Sequence, residues 1–136
     1  MPDTAVRFQR ANFLVTDLER SLGFYCDILG MSICFQKDSE PDSYSYDVYE
    51  IDRSAVMRFA VLDSPDQPRV RALTEVKGIE LPPVPRPRRA AIVLDIADID
   101  GVVVKAEAAG LRVYGEDHLI TNDGREGREV GIVDYD

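Results

Sequence analysis

Two stretches of this chain follow one plan. Asn12 to Ile33, NFLVTDLERSLGFYCDILGMSI, reads as a strand end, a capped helix closed by glycine, and a second strand. Val93 to Tyr114, VLDIADIDGVVVKAEAAGLRVY, repeats the plan more loosely. Val15 stands to Ile96, and Asp17 to Asp98, at an offset of 81, and Gly30 to Gly110 at 80. A repeat of this length constrains the chain to two related supersecondary modules.

The first copy carries its own start and stop signals. Phe8, Arg10, Asn12 and Leu14 alternate with Ala11, Phe13 and Val15, the period of a strand with two different faces. Thr16 and Glu19 have the spacing of a capping box, which places the helix start at Thr16. Leu18, Leu22, Tyr25 and Leu29 then form one apolar stripe, and Gly30 supplies a left-handed terminus.

Further strands are expected over Met31 to Gln36, Ser45 to Ile51 and Ser54 to Leu62, the last two joined by a hairpin at Asp52-Arg53. Residues 64–89 contain six prolines and read as a linker between module 1–63 and module 90–136. In the second module, Ala90 to Ile96 alternates as a strand, and Asp98 caps a helix striped by Ile99, Val102, Val103 and Ala106. Strands are expected from Leu111 to Tyr114 and from Arg128 to Val133. By analogy with the first module one more strand should follow Asp136.

Length and charge narrow the function classes. A chain of 136 residues supports one domain with a real core. Its 25 acidic and 16 basic residues give a net charge of −9, which argues against a nucleic acid or anionic membrane partner. Arg86, Arg88 and Arg89 cluster, but among prolines, as in a solvated linker. With no signal peptide and no apolar run near the roughly 20 residues of a membrane span, the expected location is cytoplasmic. Cys26 and Cys34 lack disulfide or metal spacing and are expected to be buried reduced thiols.

The stretch Val15-Thr16-Asp17-Leu18-Glu19-Arg20-Ser21-Leu22, with Phe24-Tyr25 and Ile28-Leu29-Gly30-Met31, resembles the first helix of the vicinal oxygen chelate superfamily. That superfamily includes glyoxalase I, the bleomycin-resistance proteins and the extradiol dioxygenases. The weaker copy at Asp95 to Gly110 is correctly placed, and Val133-Asp134-Tyr135-Asp136 looks like the family's turn before its last strand. The resemblance implies an α+β fold in which two βαβββ modules form a curled, cup-shaped sheet with helices outside. A homodimer is also expected, since an exposed sheet edge is usually covered.

In metal-using members the resemblance implies a divalent ion held by side chains from the first and fourth strands of each module. Those positions fall on Arg10, its repeat mate Ala91 and Arg58, while the mate of Arg58 lies beyond residue 136. Arginine is always a cation and offers donors only, so no metal site and no cofactor are expected. The lone histidine, His118, reads as solvated in a polar segment, and no catalytic residue can be assigned.

The expected site is therefore a cup lined by Phe8, Arg10, Asn12, Tyr49, Arg58 and Asp95, suited to a small anionic or aromatic molecule. Two local alternatives stay open. Arg58 either serves the ligand or pairs across the hairpin with Asp47, and Asp95 is a possible acidic mate for Arg10. At the level of function, the preferred expectation is metal-free binding or sequestration of a small molecule. The alternatives are a lyase, isomerase or dioxygenase with a rebuilt divalent-metal site, and a module that binds only a protein partner.

Overall fold

The computed structural model describes residues 5–136, so the first four residues of the expected first module lie outside the described residues. The chain divides into two compact units, Met1–Pro83 and Val84–Asp136. It is an α+β protein.

In the first unit, β1 (Ala11–Val15), α1 (Leu18–Leu22), β2 (Ser32–Asp38), a short α2 (Ser45–Val48), β3 (Val56–Ser64) and β4 (Gln67–Lys77) follow in order. The strands form one open mixed sheet in the order β1-β4-β3-β2. β1 runs parallel to β4, and β4, β3 and β2 are mutually antiparallel. A curled, unclosed sheet with helix on one face is the arrangement the α+β expectation describes.

The helix start lies one residue later than the capping box suggests. Asp17 is the N-cap, in extended conformation at φ −146°, and its carboxylate accepts the Arg20 N–H at 3.1 Å. Thr16 instead accepts from the Arg20 guanidinium, and Glu19 turns to Arg58. Asp98 plays the same part for α3 (Ile99–Ala108), accepting the Gly101 N–H at 3.0 Å. Gly30 and Gly110, at φ 84° and 79°, both take the left-handed conformation that ends each helical stretch.

α1 runs directly into a π-helical segment, Gly23–Ile28, in which the Leu29 N–H reaches back to the Phe24 carbonyl. The wider turn buries Phe24 and Tyr25 together, beside Leu18 and Leu22. This is a broader stripe than regular α-helical spacing predicts.

Three expectations in the first unit are corrected. Residues 45–51 are not a strand: the core takes Tyr46 and holds Tyr49 half-buried at its edge, three residues apart as on a helix, while Val48 points out. The Tyr46 hydroxyl donates to the Ala55 carbonyl at 2.6 Å, and Asp52 accepts the Ser54 N–H at 2.8 Å, closing a turn into β3. The Asp52-Arg53 hairpin and the Arg58–Asp47 pairing therefore do not form, and Asp47 pairs with Arg53 at 3.0 Å instead.

The second correction concerns residues 64–89. Gln67–Lys77 is β4, the strand between β1 and β3, and only the later, proline-dense part of that stretch is irregular. Its pattern is obscured because β4 is covered on both faces and carries Arg71 and Glu75 in buried positions. Arg71 lies between aromatic rings, 3.4 Å from the Phe13 centroid and 4.7 Å from that of Tyr25, and donates to the Tyr25 hydroxyl at 2.7 Å. The third concerns the thiols, since Cys34 is exposed on β2 and Cys26 is only half-buried. Burial, assisted by Asp27, pushes the Cys26 thiol up from its ordinary value.

The second unit contains α3 and a hairpin of β5 (Asp117–Ile120) and β6 (Glu126–Glu129). Thr121 to Arg125 close the hairpin through the Thr121 N–H to the Arg125 carbonyl at 2.8 Å. Arg128 binds Glu116 at 2.6 Å and Asp100 at 2.7 Å, tying the hairpin to α3. Ala90 to Ile96 lies outside regular structure, and the expected strand at 111–114 is reduced to a bridge between Val113 and Ile132. β5 falls in a segment expected to be a turn, with His118 exposed on it. No helix among the described residues is long and apolar enough to cross a membrane.

Candidate functional site

Strand register decides which side chains share a face. Asn12 stands opposite Ala72 and Leu14 opposite Thr74 across β1 and β4, and Phe59 stands opposite Thr74 and Val61 opposite Ala72 across β4 and β3. Phe35 and Lys37 follow on β2, opposite Val61 and Phe59. These residues occupy the face away from α1. All of them but Leu14, with Arg10 and the serines at 43 and 45, line a recess of about 320 Å³.

The opposite face is closed by the helix. Glu75 is buried there and accepts the Leu18 N–H, the first of α1, at 2.7 Å. It also accepts from Arg58 Nε at 2.9 Å and Nη2 at 3.3 Å, and Arg58 reaches Glu19 at 3.5 Å. The hydrogen bond from Arg58 holds the Glu75 carboxyl below its ordinary value; the Leu18 N–H adds to the effect and burial opposes it. Arg58 therefore lies on the helix face opposite Glu75, not on the inner face expected from its alternation. The expected parity placed Val56 and Arg58 inward, whereas the inward residues of β3 are Met57, Phe59 and Val61.

The other expected site residues separate in the same way. Arg10 and Asn12 line the recess. Asn12 Oδ1 accepts from the Thr74 hydroxyl at 2.9 Å, which fixes its amide against β4. Arg10 donates to the Arg69 carbonyl at 3.4 Å, a carbonyl displayed by a residue at φ 54°. Tyr49 does not line the recess; it packs on the same face with Leu14, and its hydroxyl donates to the Asn12 carbonyl at 2.6 Å, bracing β1 beside the recess. Burial raises the Tyr49 phenol above its ordinary value, with Arg71 opposing. Phe8 is exposed ahead of β1 and outside the recess lining. Asp95 belongs to the second unit, exposed and outside regular structure.

Lys37, Phe35 and Phe59 are the residues that sequence reasoning missed. Phe35 and Phe59 meet edge to face at 5.9 Å and 81°, and the Lys37 ammonium lies 5.8 Å from the Phe59 centroid. The alternation Phe35-Gln36-Lys37 carries the signal, but with residues 45–51 expected as a strand, β3 takes the fourth-strand place and Arg58 the ligand position. Neither Arg10 nor Lys37 has a carboxylate in salt-bridge range among the described residues.

With β4 identified, the inward fourth-strand residues nearest Asn12 are Ala72 and Thr74. A divalent ion needs carboxylate, imidazole or comparable donors, and this face presents two cations, an alanine and an amide already bonded to Thr74. The inner face of this module does not fit such an ion. Among the described residues no group of three or more histidines, cysteines and carboxylates is placed to hold a metal.

Comparison with known proteins bears on the fold. No curated protein sequence matches the chain. Among solved structures, the trypanothione-dependent glyoxalase I of Leishmania major aligns with a TM-score of 0.59 at 19% identity, over 91% of this chain and 85% of its own. A mutant of the fosfomycin resistance protein FosX from Listeria monocytogenes, solved with Mn(II) and a dihydroxypropylphosphonic acid, aligns at 0.60 and 14% identity, over 99% and 87%. A glyoxylase/bleomycin resistance protein/dioxygenase domain from Frankia sp. EAN1pec aligns at 0.62 and 18% identity, over 98% and 92%. The sequence model of the same superfamily matches residues 7–134. With nearly its whole length matched, this chain belongs to the glyoxalase/bleomycin resistance protein/dioxygenase superfamily.

Proposed function

We propose that this protein binds or sequesters a small organic molecule, anionic or aromatic, on the inner face of its first sheet without a divalent metal. One observation carries the reading: at the positions where a metal-using relative would need donors, this face sets Arg10, Ala72 and Thr74, with Lys37 beside them. Guanidinium and ammonium groups repel a cation and attract a carboxylate or phosphate. The recess, at about 320 Å³, is at the small end of ligand pockets. The proposal keeps the protein cytoplasmic. It also pairs the protein as a homodimer, supported by the single sheet neighbours of β1 and β2, because open edges are usually covered.

The test combines metal analysis with a thermal-shift panel of small carboxylates and phosphonates. Purified protein should carry far less than one divalent ion per chain, and a bound anion should raise its melting temperature in the presence of a chelator. Arg10→Ala should remove that rise. A stoichiometric ion that resists mild chelation would favour the second reading, a lyase, isomerase or dioxygenase with a rebuilt metal site. Superfamily membership and the Mn(II) bound to FosX support that second reading.

A further inference from the structure

We propose that the recess selects a planar aromatic carboxylate, with Lys37 as a second anion-binding residue and the Phe35–Phe59 pair as the wall on which the ring packs. The inference rests on the proposed binding function and narrows it to one ligand class. Three observations converge on it.

The first is charge. The chain carries a net charge of −9, yet Arg10 and Lys37 line one small recess, and no carboxylate among the described residues neutralises either. On the other face of the same sheet, Arg58 is bound to Glu75 and Glu19. Two uncompensated cations at one recess attract an anion and repel a metal ion.

The second is the aromatic wall. Phe35 retains 41% of its surface and contacts Phe59 edge to face, an arrangement that leaves ring surface open to the recess. An exposed apolar ring in a polar recess costs free energy until something flat and apolar covers it. Lys37 stands beside Phe59, so a ligand ring packed on the phenylalanines presents its carboxylate to the ammonium.

The third is the rim. The Ser43 hydroxyl accepts the Ser45 N–H at 3.3 Å, which directs the hydroxyl's own proton elsewhere and leaves it free to donate. Both serines line the recess with Arg10 and Lys37, so the donors there outnumber the acceptors. A ligand rich in acceptors, as a carboxylate is, complements that set.

Titration calorimetry on the full chain tests the assignment with three probes: naphthoate, the neutral naphthylmethanol of similar shape, and the non-aromatic cyclohexanecarboxylate. Naphthoate should bind at least about tenfold more tightly than naphthylmethanol, the factor expected for one charged hydrogen bond, and about threefold or more over cyclohexanecarboxylate, the factor expected for an aromatic pair. Lys37→Met should erase most of the preference for naphthoate over naphthylmethanol, whose own binding should not change. Lys37→Arg, which keeps the charge, should retain it. Phe59→Leu should weaken naphthoate and leave cyclohexanecarboxylate unchanged. Melting curves of the unliganded variants separate these effects from misfolding.

Equal binding of naphthoate and naphthylmethanol would overturn the anion assignment while leaving a small-molecule site in place. Equal binding of naphthoate and cyclohexanecarboxylate would overturn the aromatic wall in the same way. No binding of any probe, even at millimolar concentration, would overturn both the ligand class and the site.

Discussion

The two faces of the β1-β4-β3-β2 sheet treat their arginines oppositely. On the helix face, Arg58 is held by Glu75, which also accepts the first N–H of α1, so one buried carboxylate joins strand, helix and guanidinium. On the inner face, among the described residues, Arg10 meets only a backbone carbonyl at 3.4 Å, and Lys37 only an aromatic ring. A charge with a partner is committed to structure, and one without is available for a ligand. Which side a strand residue faces thus sorts structural from functional arginines, and a one-residue error in parity exchanges them.

The contrast predicts stability losses on one face and binding losses on the other. The largest effect should come from Leu73→Ala, since Leu73 is fully buried on the helix face; a loss of about 3 kcal/mol is expected by denaturant unfolding. Glu75→Gln should follow at about 2 kcal/mol, because its one remaining oxygen can still accept the Leu18 N–H while its NH2 meets the Arg58 donors without a charge, although the partial exposure of Arg58 softens the cost. Asp17→Ala, which removes the cap of α1, should cost about 1 kcal/mol. Arg10→Gln should fall within about 0.5 kcal/mol of the parent. An Arg10 variant that unfolds as readily as a Glu75 variant would erase the distinction between the faces.

Acid provides a further probe of the helix face. The Glu75 carboxyl is held below its ordinary value of 4.5, chiefly by Arg58. Its stabilising contribution is complete above that value and is lost as the pH falls from there toward the folded value. The parent should therefore lose stability below about pH 4.5, and Glu75→Gln should flatten that part of the profile. A slope identical in the two proteins would mean that other carboxylates carry the acid sensitivity.

The fold was legible where the repeat is strong. The Asp17 to Asp98 offset marks two residues that both cap helices, and Gly30 and Gly110 both end them in left-handed conformation, even though the capping-box spacing pointed one residue earlier. Of the alternating set Phe8, Arg10, Asn12 and Leu14, Arg10 and Asn12 line the recess and Phe8 and Leu14 do not. Legibility failed where burial and polarity part company. β4 hides Arg71 between Phe13 and Tyr25 and Glu75 under α1, so no apolar alternation sets this central strand apart from the proline-rich stretch expected as a linker. Losing β4, with residues 45–51 expected as a strand, promoted β3 to fourth strand and drew Arg58 into the expected site. Tyr46 and Tyr49 are three apart, a helical spacing, and the Val48 and Tyr49 N–H groups bond back to the Tyr44 and Ser45 carbonyls at 3.0 Å, while the β-prone composition of 45–51 suggests a strand.

The most direct test compares the two arginines under one ligand. Thermal shift induced by naphthoate, measured in excess chelator, should be present in the parent and in Arg58→Gln, whose unliganded melting temperature should fall, and absent in Arg10→Gln, whose unliganded melting temperature should hold. A shift that requires added divalent ion, or that survives loss of Arg10 but not of Arg58, would contradict the account.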